Sequence, residues 1–370
     1  MPIRPDGRPP FRADHVGSLL RPAALREAFR RHAAGQIDDA AFAHIQDDCI
    51  RDVVALQEAC GLSVATDGEF RRGSYWGRFV ERTEGFEIRK AIFRFRDGHG
   101  HEVEFTAPYA ARPIARARPL ALDEFTFLRH TTRVTPKITI PSPSTMHFFR
   151  CADFADRAAY PDAARFFADL GAIFRQEIAA LAAAGCRYLQ IDEVAIALLC
   201  DPAIRARVAS AGVEPDGLVD LYIDALNRAV ADCPAEVVVG VHMCRGNFKG
   251  RYLAAGGYES VAERFFAGAR VNHFLLEYDT ARAGDFRPLR FVPATKGVVL
   301  GLVSSKTPVL ESVDALKRRA EEASRYVDLD RLAIGPQCGF ASTAAGNPLT
   351  EADERAKLRL VVEAAQAIWR

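Results

Sequence analysis

Eight short apolar segments, each ending in small or polar residues and each followed by a stretch with helical spacing, constrain this chain more than any other feature. They cover residues 11–16, 63–66, 134–140, 188–191, 237–241, 273–276, 297–303 and 332–335. Between them, stretches such as 45–59, 164–184, 215–231, 258–267 and 313–326 place apolar residues three and four apart among Arg, Glu and Asp. That is the helix period. Strands alternating with helices predict a parallel sheet. Eight such units in 370 residues predict an α/β chain folded as a single (β/α)8 TIM barrel spanning residues 1–370. No Gly-rich dinucleotide turn follows an early strand, which argues against a Rossmann sheet. The main insertion follows the second strand, at about residues 77–132. Within it, 91–96 and 102–106 flank Asp97-Gly98-His99-Gly100-His101, the pattern of a hairpin arm. Thr350 and Asp353 can cap a last helix running to about residue 369.

Composition narrows the function classes. Lys and Arg number 49 against 48 Asp and Glu, a net charge of +1, so no broad nucleic-acid or membrane surface is expected. No apolar run approaches the ~20 residues of a spanning helix. The first residues, MPIRPDGRPPFRAD, lack the apolar centre of a signal peptide. Eight cysteines are too sparse for a disulfide scaffold, so a reducing, cytoplasmic setting is expected.

In a barrel of this kind the reactive residues sit at the C-terminal ends of the strands. Those ends read His15-Val16-Gly17-Ser18, Asp67-Gly68-Glu69, Pro141-Ser142-Pro143-Ser144, Asp192-Glu193, His242-Met243-Cys244, Glu277-Tyr278-Asp279, Ser304-Ser305-Lys306 and Gln337-Cys338-Gly339-Phe340. His242 and Cys244 are two apart on a strand, so their side chains share a face. Imidazole and thiolate suit Zn2+. His-x-Cys alone is a weak signal that a buried core pair would also give. The shared rim with Cys338 and Glu277 is what points to an ion. A His/Cys/Glu/Cys set would hold zinc with a replaceable oxygen ligand. Two thiolates and no evident general base suit activation of a thiol better than activation of water. For Glu69 and Asp192, the alternative from the residues alone is a rim carboxylate paired with Arg71, Arg245 or Lys306.

Six strings carry a family likeness: Arg12-Ala13-Asp14-His15-Val16-Gly17-Ser18-Leu19-Leu20-Arg21-Pro22, Thr66-Asp67-Gly68-Glu69-Phe70-Arg71-Arg72, Gln190-Ile191-Asp192-Glu193, His242-Met243-Cys244-Arg245-Gly246-Asn247, Leu300-Gly301-Leu302-Val303-Ser304-Ser305-Lys306 and Pro336-Gln337-Cys338-Gly339-Phe340-Ala341-Ser342. In these the chain resembles the cobalamin-independent methionine synthase family, in its short form built from the catalytic barrel. The resemblance implies zinc-dependent transfer of a methyl group to homocysteine, with His242, Cys244, Glu277 and Cys338 as zinc ligands. It implies that Gly17, Ser18, Glu69 and Asp192 hold the amino-acid part of the substrate, with Glu69 and Asp192 acting in catalysis. The donor it implies is methyltetrahydrofolate or methylcobalamin, and a homo-oligomer is compatible with it. The chain departs from the full-length pattern in two ways. The long form's N-terminal barrel has no counterpart, and the seventh-strand histidine that protonates departing folate is replaced by Lys306. Lysine titrates near ~10.4, a poor match to that task; His15 and His147 are the other candidate proton donors. The competing expectation is a zinc enzyme that joins another thiol, such as coenzyme M, to an epoxide.

Overall fold

In the computed structural model the described residues are 8–92, 95–96 and 102–369, so the turn expected at 97–101 lies outside them. The strands are β1 (Val64–Ala65), β2 (Thr83–Lys90), β3 (Phe95–Arg96), β4 (Glu102–Val103), β5 (Thr106–Arg116), β6 (Thr135–Pro141), β7 (Tyr188–Asp192), β8 (Val238–Met243), β9 (His273–Glu277), β10 (Gly297–Val303) and β11 (Leu332–Pro336). Seven form one parallel sheet in the order β1-β6-β7-β8-β9-β10-β11. Its register sets Asp192 beside His242, and Gly301 beside Glu277.

The first expected strand, 11–16, is a stave without a ladder. On one side it makes a single bridge: Asp14 N donates to Ile334 O at 3.0 Å and Ile334 N to Arg12 O at 2.9 Å. On the other side Leu19 N donates to Gly68 O at 3.1 Å, and Thr66 Oγ1 to Gly17 O at 2.6 Å. The ladder fails for two reasons. His15 N is taken by its neighbour's Asp14 Oδ1 at 2.7 Å, and β1 offers only two residues. The stave still closes the curled sheet into a TIM-barrel-like fold.

Polar side chains fill the barrel's interior. Lys137 Nζ lies 2.8 Å from Asp14 Oδ1 and 3.1 Å from Gln190 Oε1, and Tyr188 Oη donates to Asp14 while standing 2.8 Å from His273 Nε2. All five are fully buried, and the mutual pairing offsets the cost of desolvating the charges.

The helices lie outside. Ala163–Ala183 is capped by Asp162 and buries Phe166, Phe167, Leu170, Ile173, Phe174, Ile178 and Leu181, a continuous apolar stripe at helical spacing. Glu351–Ile368 opens with the Thr350/Asp353 capping box expected from the sequence. The helix Leu122–Thr131 packs on β6 and is the barrel's own, so the inserted arm ends before it. The arm is the antiparallel pair β2–β5, extended by β3–β4. Its base is tied down by the buried Glu177, whose carboxylate accepts from Arg116 Nη2 at 2.6 Å, Leu120 N at 2.8 Å and Ala121 N at 2.7 Å. Among the described residues no helix is long and apolar enough to cross a membrane.

Candidate metal centre and substrate cavity

His242 near the end of β8, Cys244 just beyond it and Cys338 just beyond β11 come together at the barrel mouth. Their ligand atoms lie within 4.8 Å of one another, and all three residues are buried. His242 Nδ1 is 3.2 Å from Leu275 O, so the ring N–H belongs there and the Nε2 lone pair is free. Nε2 is buried without a hydrogen-bond partner. A buried, orphaned imidazole nitrogen beside two thiols is a donor set that fits Zn2+. The neighbouring Cys244 thiol first, and the His242 imidazole after it, hold Cys338 well below the usual thiol range despite its burial, while Cys244 is raised by its contact with Cys338 and by burial.

The backbone at Cys338 is pinned. Gly339 O accepts from Asn247 Nδ2 at 2.8 Å and Ser305 Oγ at 3.0 Å. A Cβ on Gly339 would stand 1.9 Å from Ser18 Oγ, so the glycine lets the first and last staves approach.

Glu277, expected beside these three, is near enough to act on the charges of His242 and Cys244 but falls outside the group whose ligand atoms lie within 4.8 Å of one another. It ends β9 fully buried, and its carboxylate accepts from Arg245 N at 2.6 Å, Arg282 Nη2 at 2.5 Å and Lys306 Nζ at 3.4 Å. Burial alone would push its pKa up, but Lys306, Arg282 and Arg245 together hold it down at about 2. Lys306 is therefore occupied with Glu277. The other candidate proton donors are also withdrawn from the mouth. His147 packs against Phe154, Phe167 and Tyr222, and His15 is closed inside the barrel; burial holds both at about 3.

Ser18, Glu69 and Asp192 line one cavity with the His242/Cys244/Cys338 cluster, of about 940 Å3. Gly17 sits just behind, at φ 128°, where a Cβ would be 2.7 Å from Thr139 Cγ2. Glu69 has a φ of 61°, in the left-handed region that non-glycine residues avoid. Its turn is held by Asp67 Oδ1 accepting from Glu69 N at 2.9 Å, and by Arg21, whose guanidinium donates to the carbonyls of Glu69 (2.9 Å) and Arg72 (2.7 Å). Arg72 spends its charge on Glu124 at 2.7 Å, leaving Glu69 at 3.6 Å. Glu69 Oε1 accepts from Thr139 Oγ1, while Oε2 is buried with no partner. Asp192 accepts only a side-chain amide, Gln190 Nε2 at 2.7 Å. Burial first, and the Glu69 charge second, push Asp192 up to about 7. The rim pairings expected as the alternative do not form: Arg71 goes to Asp47, while Arg245 and Lys306 go to Glu277. Two carboxylates thus face one cavity short of positive charge.

Sequence reasoning missed Arg21 as the clamp, although it stands in a quoted string, and missed Tyr75. The Tyr75 phenol lines the cavity beside Thr145, Cys244 and Asp192 and is kept neutral by burial. It also left the arm's role open. Phe86, Ile88, Phe105 and Arg112 of the arm form part of the cavity wall.

Comparison with known proteins agrees with this geometry. Residues 11–367 match the family described as "Cobalamin-independent synthase, Catalytic domain". A Bacillus subtilis protein, the uncharacterized YxjH, is 40% identical over 98% of this chain and 95% of its own length. A methionine synthase of Pyrococcus abyssi is 28% identical over 88% of this chain and 85% of its own. The crystal structure of a putative vitamin-B12 independent methionine synthase from Listeria monocytogenes superposes with a TM-score of 0.77 at 32% identity, covering 97% of this chain and 98% of that one.

Proposed function

The chain belongs to the catalytic-domain family of the cobalamin-independent synthases, and on that premise we propose that it transfers a methyl group to the thiol of homocysteine, giving methionine. The observation that carries the reading is a buried His/Cys/Cys cluster sharing one cavity with two under-neutralised carboxylates. The barrel and its arm act as one catalytic unit.

His242, Cys244 and Cys338 would hold zinc, with Glu277 as the oxygen donor that the substrate replaces. Zinc held there would lower the pKa of an incoming thiol and so supply it as thiolate near neutrality. The chain's own residues do the rest. Glu69 and Asp192 bind the substrate ammonium, which lets both carboxylates remain charged side by side. Gly17 and Ser18, on the same wall, take the substrate carboxylate. With the amino-acid end fixed, the sulfur is directed at the methyl carbon of the donor. The new S–C bond forms as the bond from methyl to its carrier breaks, and the carrier leaves with that electron pair. The arm's apolar residues cover the site and exclude water.

None of the three candidate proton donors named from the sequence is placed to serve the donor's leaving group. Lys306 is engaged by Glu277, and neither His15 nor His147 lines the cavity. That supports a methylcorrinoid, which departs without a proton, over a methylfolate, which needs one. The coenzyme M alternative is weaker for a different reason: a sulfonate needs cations, and Arg112 is the only Lys or Arg lining the cavity among the described residues.

The test is methionine formation by zinc-loaded protein with homocysteine, offering methylcobalamin and methyltetrahydrofolate separately. Turnover with methylcobalamin is expected. Turnover with methyltetrahydrofolate alone would overturn the donor assignment, and no methionine with either would overturn the reading itself.

A further inference from the structure

Glu277 has more donors than a single ligand carboxylate needs, and they come from three different segments. Arg245 follows Cys244, Arg282 lies in the turn Ala281–Ala283 after β9, and Lys306 lies in the loop after β10. Arg245 N takes Oε2 at 2.6 Å, while Arg282 Nη2 and Lys306 Nζ take Oε1 at 2.5 and 3.4 Å. Arg282 is built into its loop, donating also to Ala254 O at 3.2 Å and stacking 4.3 Å from the Tyr252 ring centroid. Lys306 differs: its side chain is only 9% exposed, and its ion pair is with Glu277. A lysine there is a compact charge on a flexible stem that can follow a moving carboxylate.

From this we infer that Lys306, with Arg282, is a positioning residue: a cationic tether that competes with the metal for the Glu277 carboxylate and so makes this oxygen ligand easy for the substrate thiol to replace beside His242, Cys244 and Cys338. The inference rests on the zinc reading of that cluster. Its physics is competition for one set of oxygen lone pairs. Each N–H that Glu277 accepts is a lone pair withheld from the metal, so the tether weakens the oxygen ligand while leaving the imidazole and thiolates untouched. Lys306 thereby has a role other than proton donation at the position where the family pattern has its acid.

The experiment measures zinc release from the loaded full-length chain to a chromogenic chelator, together with the visible spectrum of the cobalt-substituted protein. Lys306→Met is expected to slow release about tenfold, because Glu277 then coordinates fully. The cobalt bands should shift, and the homocysteine KM should rise more than kcat falls. Adding Glu277→Gln to Lys306→Met should restore wild-type release, and Lys306→Arg should keep it. Release from Lys306→Met that matches wild type, or that is faster and insensitive to Glu277→Gln, overturns the inference. The arginine variant separates loss of charge from loss of fold. Because release and cobalt spectra need no methyl transfer, they can fail or hold independently of the methionine assay.

Discussion

Cys338→Ala is expected to lose stoichiometric zinc and at least about a thousandfold in methyl transfer, since removing a ligand exceeds the 10–100-fold cost of disturbing an outer-shell partner. The remaining donors are too few to compensate. His242 Nε2 and Cys244 would be left, with the Glu277 carboxylate already accepting from Arg245, Arg282 and Lys306. The substitution itself is small, so the fold should persist; an unchanged far-ultraviolet spectrum checks this. The eight cysteines are all free, which supplies internal controls. Cys186, buried beneath β7 with its thiol raised to about 12, should be replaceable by alanine with zinc retained. Full zinc occupancy in Cys338→Ala, measured by elemental analysis after gel filtration, would show that the cluster is not the metal site.

Glu69→Gln combined with Asp192→Asn is expected to spare zinc and to raise the homocysteine KM by about a hundredfold, the size of one or two charge-assisted hydrogen bonds lost. The replacements keep shape and remove charge. The amide oxygens they introduce can still accept from Thr139 Oγ1 and Gln190 Nε2, the donors that the two carboxylates use now, so the wall should stand. Specificity gives the sharper readout. A thiol of the same length without the amino group should be a poor substrate of the wild-type protein and should lose little further in the double variant. That coupling assigns the two carboxylates to the ammonium. Equal losses for both thiols, or zinc leaving with the carboxylates, would make them structural.

Much of this was legible in the residues because two periodicities carry it. The strand ends at 192, 242–244 and 338 could be read from short apolar runs, and alternation alone turned His242 and Cys244 to one face. Seven of the eight segments formed strands of the parallel sheet. The first did not, because its register depends on where Asp14 and His15 put their polar groups, and hydrophobic spacing is silent on that. Glu277 shows the same limit. Its place at the end of β9 was readable, but its partners, Arg282 and Lys306, arrive on loops that only the closed barrel brings together. The Arg21 clamp spans more than three hundred residues to Ala341 O. The arm was recognisable as a hairpin from its turn residues. Its service as a cavity wall depends on docking through Glu177, a contact with no local signature.

The central claim is that the His242/Cys244/Cys338 cluster binds a metal to which the substrate thiol is delivered. Zinc-edge X-ray absorption on the loaded protein, before and after saturation with homocysteine, tests it most directly. One additional sulfur neighbour is expected on adding homocysteine, and none on adding norleucine, the sulfur-free analogue of methionine. An unchanged sulfur shell at saturating homocysteine would contradict it.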